Sequence, residues 1–212
     1  MAITKLGNVL RKAWFQVFSP REKEGKKIPL PELLAQMDVY DWGSVEDMPV
    51  NEDERRGRLR HFNEVIGASG MELDGSLLDL AAGTNSLAYL YPNTVAIDND
   101  PRKTKVLRKD GVKAVIADIE SLPFENKSFD YVVSFSPPQK PVMLNQDGCV
   151  RFHVDQECNR KLVDATLRIA RKKALIACYA IAMEPPYEHL IEKRDTNGYY
   201  YVLYKANNDS VC

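Results

Sequence analysis

Five short apolar runs, each ending among polar or small residues, constrain this chain more than any other feature. They are "SLLDL" (76–80), "TVAID" (94–98), "KAVIAD" (113–118), "FDYVVSF" (129–135) and "ALIACYA" (174–180). A continuous apolar run of this length suits a strand of a parallel sheet covered on both faces. Helical segments alternate with them. "PRKTKVLRKDG" (101–111) has Pro at its start and Gly near its end, and "CNRKLVDATLRIARKK" (158–173) is amphipathic. The alternation predicts an α/β, doubly wound and mostly parallel sheet. Near the end of the chain, "YEHLIEK" and "YYYVLYK" flank Asn197-Gly198, a hairpin turn signal, so an antiparallel hairpin is expected to complete a seven-stranded sheet.

The first part of the chain reads differently. Ile3, Leu6, Leu10, Trp14, Val17 and Phe18 recur at helical spacing over residues 3–18, with Lys5, Arg11 and Lys12 between them. This basic amphipathic helix suits docking on its own domain, contact with a second copy, or a peripheral membrane surface. Pro20, Gly25 and Pro29 then mark a linker, residues 30–50 read as a short helix and a loop, and residues 52–67 read as a helix. The expected division is therefore residues 1–51, with helix, linker and substrate lid, and residues 52–212, a Rossmann-like domain.

Composition narrows the partners. A formal net charge of −1 gives no overall attraction to nucleic acid. The arginines at 55, 56, 58 and 60 adjoin Glu52, Asp53 and Glu54 and read as a solvated face. Cys149, Cys158, Cys178 and Cys212 contain no C-x-x-C pair, so reduced thiols and no metal site are expected. No run of 18 apolar residues and no export signal is seen, and a cytoplasmic location is expected.

An α/β sheet binds ligands at the carboxyl ends of its strands. That rule selects residues 79–86, 98–100, 118–119 and 134–138. In the first, small residues let a ligand approach the backbone; Gly83 can take positive φ, and Asn85 tolerates the left-handed region better than most side chains. In the second, the Asp98 carboxylate can accept hydrogen bonds from both hydroxyls of a ribose, with Asn99 or Asp100 free to cap the following helix. In the third, Asp118 can receive an adenine amino group. Together they describe a nucleoside lying across the strand ends.

Residues 77–136 resemble a class I S-adenosylmethionine-dependent methyltransferase. The family's first motif is commonly D-L-x-C/A-G-T-G, against "DLAAGTN" (79–85) here; "AIDNDP" (96–101) matches the second. "ADIESLPFENKSFDYVVS" (117–134) is similar to a stretch of the subgroup that holds ubiquinone/menaquinone-type methyltransferases. The resemblance implies S-adenosylmethionine as cofactor. It puts Asp79, Ala81, Gly83 and Asn85 at the methionine part, Asp98 at the ribose and Asn99 beside the adenine. Asp118 would bind the adenine amino group, Ile119 would lie close to the ring, and Ser134 beside the methionine end.

For the acceptor the sequence leaves several readings open. A small-molecule or lipid-like acceptor is the leading one. Ser136-Pro137-Pro138 resembles the N/D/S-P-P-aromatic loop of enzymes that methylate amines of nucleic acid or protein, but Gln139 stands where the stacking ring is expected. Tyr40 resembles the tyrosine of an N-terminal segment that covers the cofactor, and His153 is a candidate general base. Asn85 in place of the last glycine, and the short stretch after it, motivate a third reading: a non-catalytic subunit that activates a partner.

Overall fold

The computed structural model describes the backbone of residues 27–135, 140–142, 151–153, 156–178, 191–196 and 199–205. The expected helix over 3–18 and the Ser136-Pro137-Pro138 loop lie outside the described residues. The strands that organise the site are β1 (Leu77–Leu80), β2 (Thr94–Asp98), β3 (Lys113–Ile116), β4 (Phe129–Phe135) and β5 (Ala170–Cys178). They pair in parallel in the order β3-β2-β1-β4-β5. β1 and β2 are buried along their whole length, which is why they carry apolar runs rather than alternation.

Among the described residues four helices cover the two faces: α1 (Leu30–Asp38), α2 (Glu52–Ser69), α3 (Pro101–Lys109) and α4 (Gln156–Ile169). Alternate residues of each strand point to opposite faces. Leu77, Tyr131, Val133 and Leu175 meet Phe62, Val65 and Ile66 of α2, and Ala96 and Ala114 meet Leu107 of α3. On the other face, Leu78, Val95, Val115, Val132 and Ile176 share a core with Leu33 and Met37 of α1 and Leu162 and Val163 of α4. The helix ends follow their local chemistry. Asn51 caps α2 by accepting from Asp53 N and Glu54 N, and Gly70 ends it in the left-handed conformation.

One boundary differs from expectation. The helix expected over 158–173 ends at Ile169, and Ala170 opens β5 with no intervening loop. Charged residues are tolerated at this strand start because partners across the sheet neutralise them. Arg171 pairs with Asp130 at 2.9 Å and Lys172 with Asp74 at 3.1 Å. Arg168 holds the preceding corner by donating to the carbonyls of Phe124 (2.6 Å) and Leu122 (3.1 Å). Two further short strands, Lys140–Val142 and Arg151–His153, form a separate antiparallel pair.

Entry into β1 depends on one close approach. A Cβ on Gly75 would lie 2.4 Å from Oδ2 and 2.8 Å from Cβ of Asp130. Asp130 is not free to move aside: its Oδ2 accepts from Ser76 N and Ser76 Oγ, both at 3.0 Å, and Arg171 holds the other oxygen. Gly75→Ala is expected to destabilise the fold by about 1–3 kcal/mol, as overpacked sites do. A urea titration checks this as a lower midpoint at constant slope; an unchanged midpoint would contradict the packing.

Candidate functional site

The strand order reverses beside β1, because β2 and β4 flank it and their successors run outward in opposite directions. A crevice forms at the carboxyl ends of strands at such a point. Ser134 of β4 lies there, buried, with its hydroxyl donating to the Leu80 carbonyl at 3.1 Å. That bond ties the end of β4 to the end of β1.

Asp79, the third residue of β1, is buried beneath the turn. Its Oδ2 accepts from Ser86 Oγ and from Leu87 N, each at 2.8 Å. Ser86 Oγ in turn accepts from Ala88 N at 3.1 Å, capping a single 3-10 turn, Leu87–Tyr89. Burial pushes the Asp79 carboxyl up to about 7; its two donors oppose the rise, and the charge of Asp98 adds to it. The far end of the 3-10 turn is held as well. Tyr89 donates to Asp110 at 2.6 Å, while Arg55 pairs with Asp110 at 3.1 Å and lies 4.6 Å over the Tyr89 ring.

The turn between Leu80 and Ser86 is shaped by its bonds to β2. Ala82 N donates to the Ile97 carbonyl and Gly83 N to Asp98 Oδ2, both at 2.9 Å. To make both bonds the chain reverses immediately after β1. Ala81 (φ 57°) and Gly83 (φ 63°) take the left-handed conformation, and Asn85, the residue expected to tolerate it, does not. For Ala81 this conformation costs about 1–2 kcal/mol; such strain is concentrated at functional sites. Above Gly83 the space is open, since a Cβ there would meet nothing within 4 Å.

Asp98 closes β2 and is buried. Its Oδ1 accepts from Asp100 N at 2.9 Å, and its Oδ2 from Gly83 N, with Lys103 Nζ 3.5 Å away. Asp100, not Asp98, caps α3, accepting from Arg102 N at 2.9 Å. Asn99 is exposed beside it. Ala117 N donates to the Asp98 carbonyl at 3.2 Å, which brings half-buried Asp118 and buried Ile119 alongside. Thus Ala81, Gly83, Asn85, Asp98, Asn99, Asp118 and Ile119 gather at one end of the sheet, with Asp79 and Ser134 supporting them from below.

Tyr40 does not join this group, and the remaining expected residues lie wholly or partly outside the described ones. Tyr40 packs on Trp42 with ring centroids 4.7 Å apart, and Trp42 faces Arg108 in the last turn of α3, the opposite end of that helix from Asp98. Burial, and then the charge of Asp41, raise the Tyr40 phenol, so it is not a proton acceptor at neutral pH. His153 is described only as backbone, opposite Lys140 in the short strand pair. Ser136, Pro137 and Pro138 lie outside the described residues. Sequence reasoning included Ser86 in the turn but missed its bond to Asp79, and it missed Lys103. A serine preceding "LAY" and a lysine in the first turn after Asp98 were the available signals.

The buried carboxyl predicts a pH dependence of stability. In the unfolded chain Asp79 ionises near about 3.9, and in the folded chain near about 7. Between these values the folded chain holds a proton that the unfolded chain has released. The stabilisation is therefore complete below about pH 4 and lost as pH rises to about 7, by up to about 1.4 kcal/mol per pH unit. Urea midpoints measured from about pH 5 to pH 8 should fall in the wild type and fall less in Asp79→Asn. Identical slopes would show that Asp79 does not titrate in this range.

Residues 78–137 match the family model described as a methyltransferase domain. No curated protein matches the chain. Among solved structures, the PH0226 protein of Pyrococcus horikoshii OT3 is similar, with a TM-score of 0.53 at 16% identity over 81% of this chain and 98% of that one. This likeness is one of fold. A magnesium protoporphyrin IX methyltransferase from Synechocystis PCC 6803, solved with bound S-adenosylmethionine, gives a TM-score of 0.47 at 14% identity over 75% of this chain and 85% of that one. The family match begins within β1 and runs through the carboxyl ends of β2, β3 and β4. The matched segment, residues 78–137, is thus a methyltransferase domain of the class I S-adenosylmethionine-dependent type.

Proposed function

We propose that the chain transfers the methyl group of S-adenosylmethionine to a small-molecule or lipid-like acceptor, with the nucleoside lying across the ends of β1, β2 and β3. The observation that carries this reading is the Gly83–Asp98 contact, which puts an open backbone turn directly against a buried carboxylate. The residues fit the cofactor. Asp98 Oδ1 holds a single backbone donor, which leaves it room to accept a ribose hydroxyl. Asp118 and Ile119 offer an acceptor and an apolar contact to an adenine ring, and Asn99 lies exposed next to Asp98. Ala81, Gly83 and Asn85 carry the turn that receives the methionine part.

Two of the expected contacts are better read as supports. Asp79 is engaged with Ser86 and Leu87, and Ser134 with Leu80. Both hold the turn rather than touch the ligand. When bound, the cofactor supplies an electrophilic sulfonium methyl. The protein contributes by orienting the nucleoside and fixing the turn, so that an acceptor can meet the methyl in line. A carboxylate directly at the sulfonium would favour the charged ground state over the transition state, in which that charge is fading. Asp79 is kept from that role by its burial and its two donors.

The acceptor side favours a small substrate over an extruded base. Phe135, the ring nearest the Ser136-Pro137-Pro138 loop in sequence, stacks on Phe62 in the core, with centroids 4.2 Å apart. It therefore offers no platform for a base, a contact worth about 1–3 kcal/mol where it exists. We also take the sheet to continue to seven strands. Antiparallel pairing of Tyr199–Lys205 with β5, and of Ile191–Thr196 with Tyr199–Lys205, supports the hairpin expected around Asn197-Gly198. Among the described residues no helix is long and apolar enough to cross a membrane.

Calorimetric titration with S-adenosylmethionine and S-adenosylhomocysteine tests the reading. The wild type should bind both. Asp98→Asn should weaken both by about 10–100-fold, the range for hydrogen bonds to a charged group. Absence of binding by the wild type, or equal affinity in the variant, would overturn it.

A further inference from the structure

Lys103 has no part in the roles assigned above, yet its ammonium lies 3.5 Å from Asp98 Oδ2, the oxygen that also accepts from Gly83 N. Asp98 is 4% exposed and Lys103 35%, so the lysine reaches from the rim onto a buried acceptor. A carboxylate offers about four acceptor positions, two on each oxygen. Oδ2 is filled by Gly83 N and Lys103, and Oδ1 is half filled by Asp100 N. The two amides cannot leave, because one belongs to the β1 turn and the other to the residue that caps α3. Lys103 is the only movable donor of the three. A ribose brings two hydroxyl donors, and one acceptor position is open to them while Lys103 stays.

The other charges nearby do not compete with it. Arg102 is committed to Asp100 through contacts of 2.7 and 3.0 Å, and Lys105 pairs with Asp47 at 3.0 Å. At 3.5 Å the Lys103 contact is at the long end for a hydrogen bond, and the side chain is part-exposed, so breaking it costs little.

We propose that Lys103 competes with the cofactor ribose for Asp98 and must swing aside before both ribose hydroxyls bind, which makes it an affinity-determining residue of the nucleoside site. This rests on the reading of Asp98 as the ribose acceptor. Lys103 withdraws toward solvent as the diol arrives, and the protein thereby holds its cofactor less tightly than the Asp98 site alone would.

Calorimetry with S-adenosylhomocysteine and its 2′-deoxy analogue, on wild type, Lys103→Met and Lys103→Arg, tests this. Lys103→Met should bind S-adenosylhomocysteine about twofold to fivefold tighter than wild type, the worth of one part-exposed ion pair. It should also lose more affinity than wild type does on removal of the hydroxyl, and Lys103→Arg should behave as wild type. A purely structural role for Lys103 would not change the penalty for the missing hydroxyl. Equal or weaker binding by Lys103→Met, with the wild type binding normally, overturns this inference and leaves the nucleoside site standing. No binding by any of the three proteins overturns the nucleoside site itself.

Discussion

A buried carboxylate under the end of β1 holds together what the rest of the site needs. Asp79 receives Ser86 Oγ and Leu87 N on one oxygen, and so fixes where the chain resumes after the turn. With that end fixed, the five residues between Leu80 and Ser86 must fold back tightly. They do so through left-handed Ala81 and Gly83 and two bonds to the end of β2. The 3-10 turn that follows is too short to be stable alone. It persists because Asp79 holds its start, and Tyr89, Asp110 and Arg55 hold its end. A short connection after the turn is therefore compatible with a well-formed ligand site.

The cost of this arrangement is electrostatic. A carboxyl taken out of water favours its neutral form, and two donors on one oxygen only partly restore the charged one. Asp98, also buried, spreads its three donors over both oxygens. Two carboxyls at adjacent strand ends thus have different tasks. One shapes the backbone after β1, and the other ties that turn to the start of α3 through Gly83 N, Asp100 N and Lys103. Strand order separates them, since β1 lies at the point of reversal and β2 beside it.

Much of the frame was legible in the sequence because both faces of the parallel sheet are covered, which forces continuous apolar runs. The ends of β1 and β2 follow from them, and with those ends the positions of Gly83 and Asp98. Where reading failed, the deciding partner lay far along the chain. Helical periodicity ran through "ARKK", because nothing local announces that Asp74 and Asp130 neutralise a charged strand start. Asn85 has the side chain that suits positive φ, yet bonds to Ile97 and Asp98 put the reversal at Ala81 and Gly83 instead. Lys103 was invisible for the same reason: its importance comes from what else Asp98 already accepts.

The central claim is that S-adenosyl ligands bind where the ends of β1, β2 and β3 converge. Backbone amide shifts recorded by NMR during titration with S-adenosylhomocysteine test it most directly. The account predicts that the largest changes fall on residues 81–86, 98–100 and 118–119, with Gly83 prominent because its amide meets Asp98. Largest changes elsewhere, such as the groove that Arg56, Leu59 and Arg60 of α2 line together with Tyr91, would contradict it.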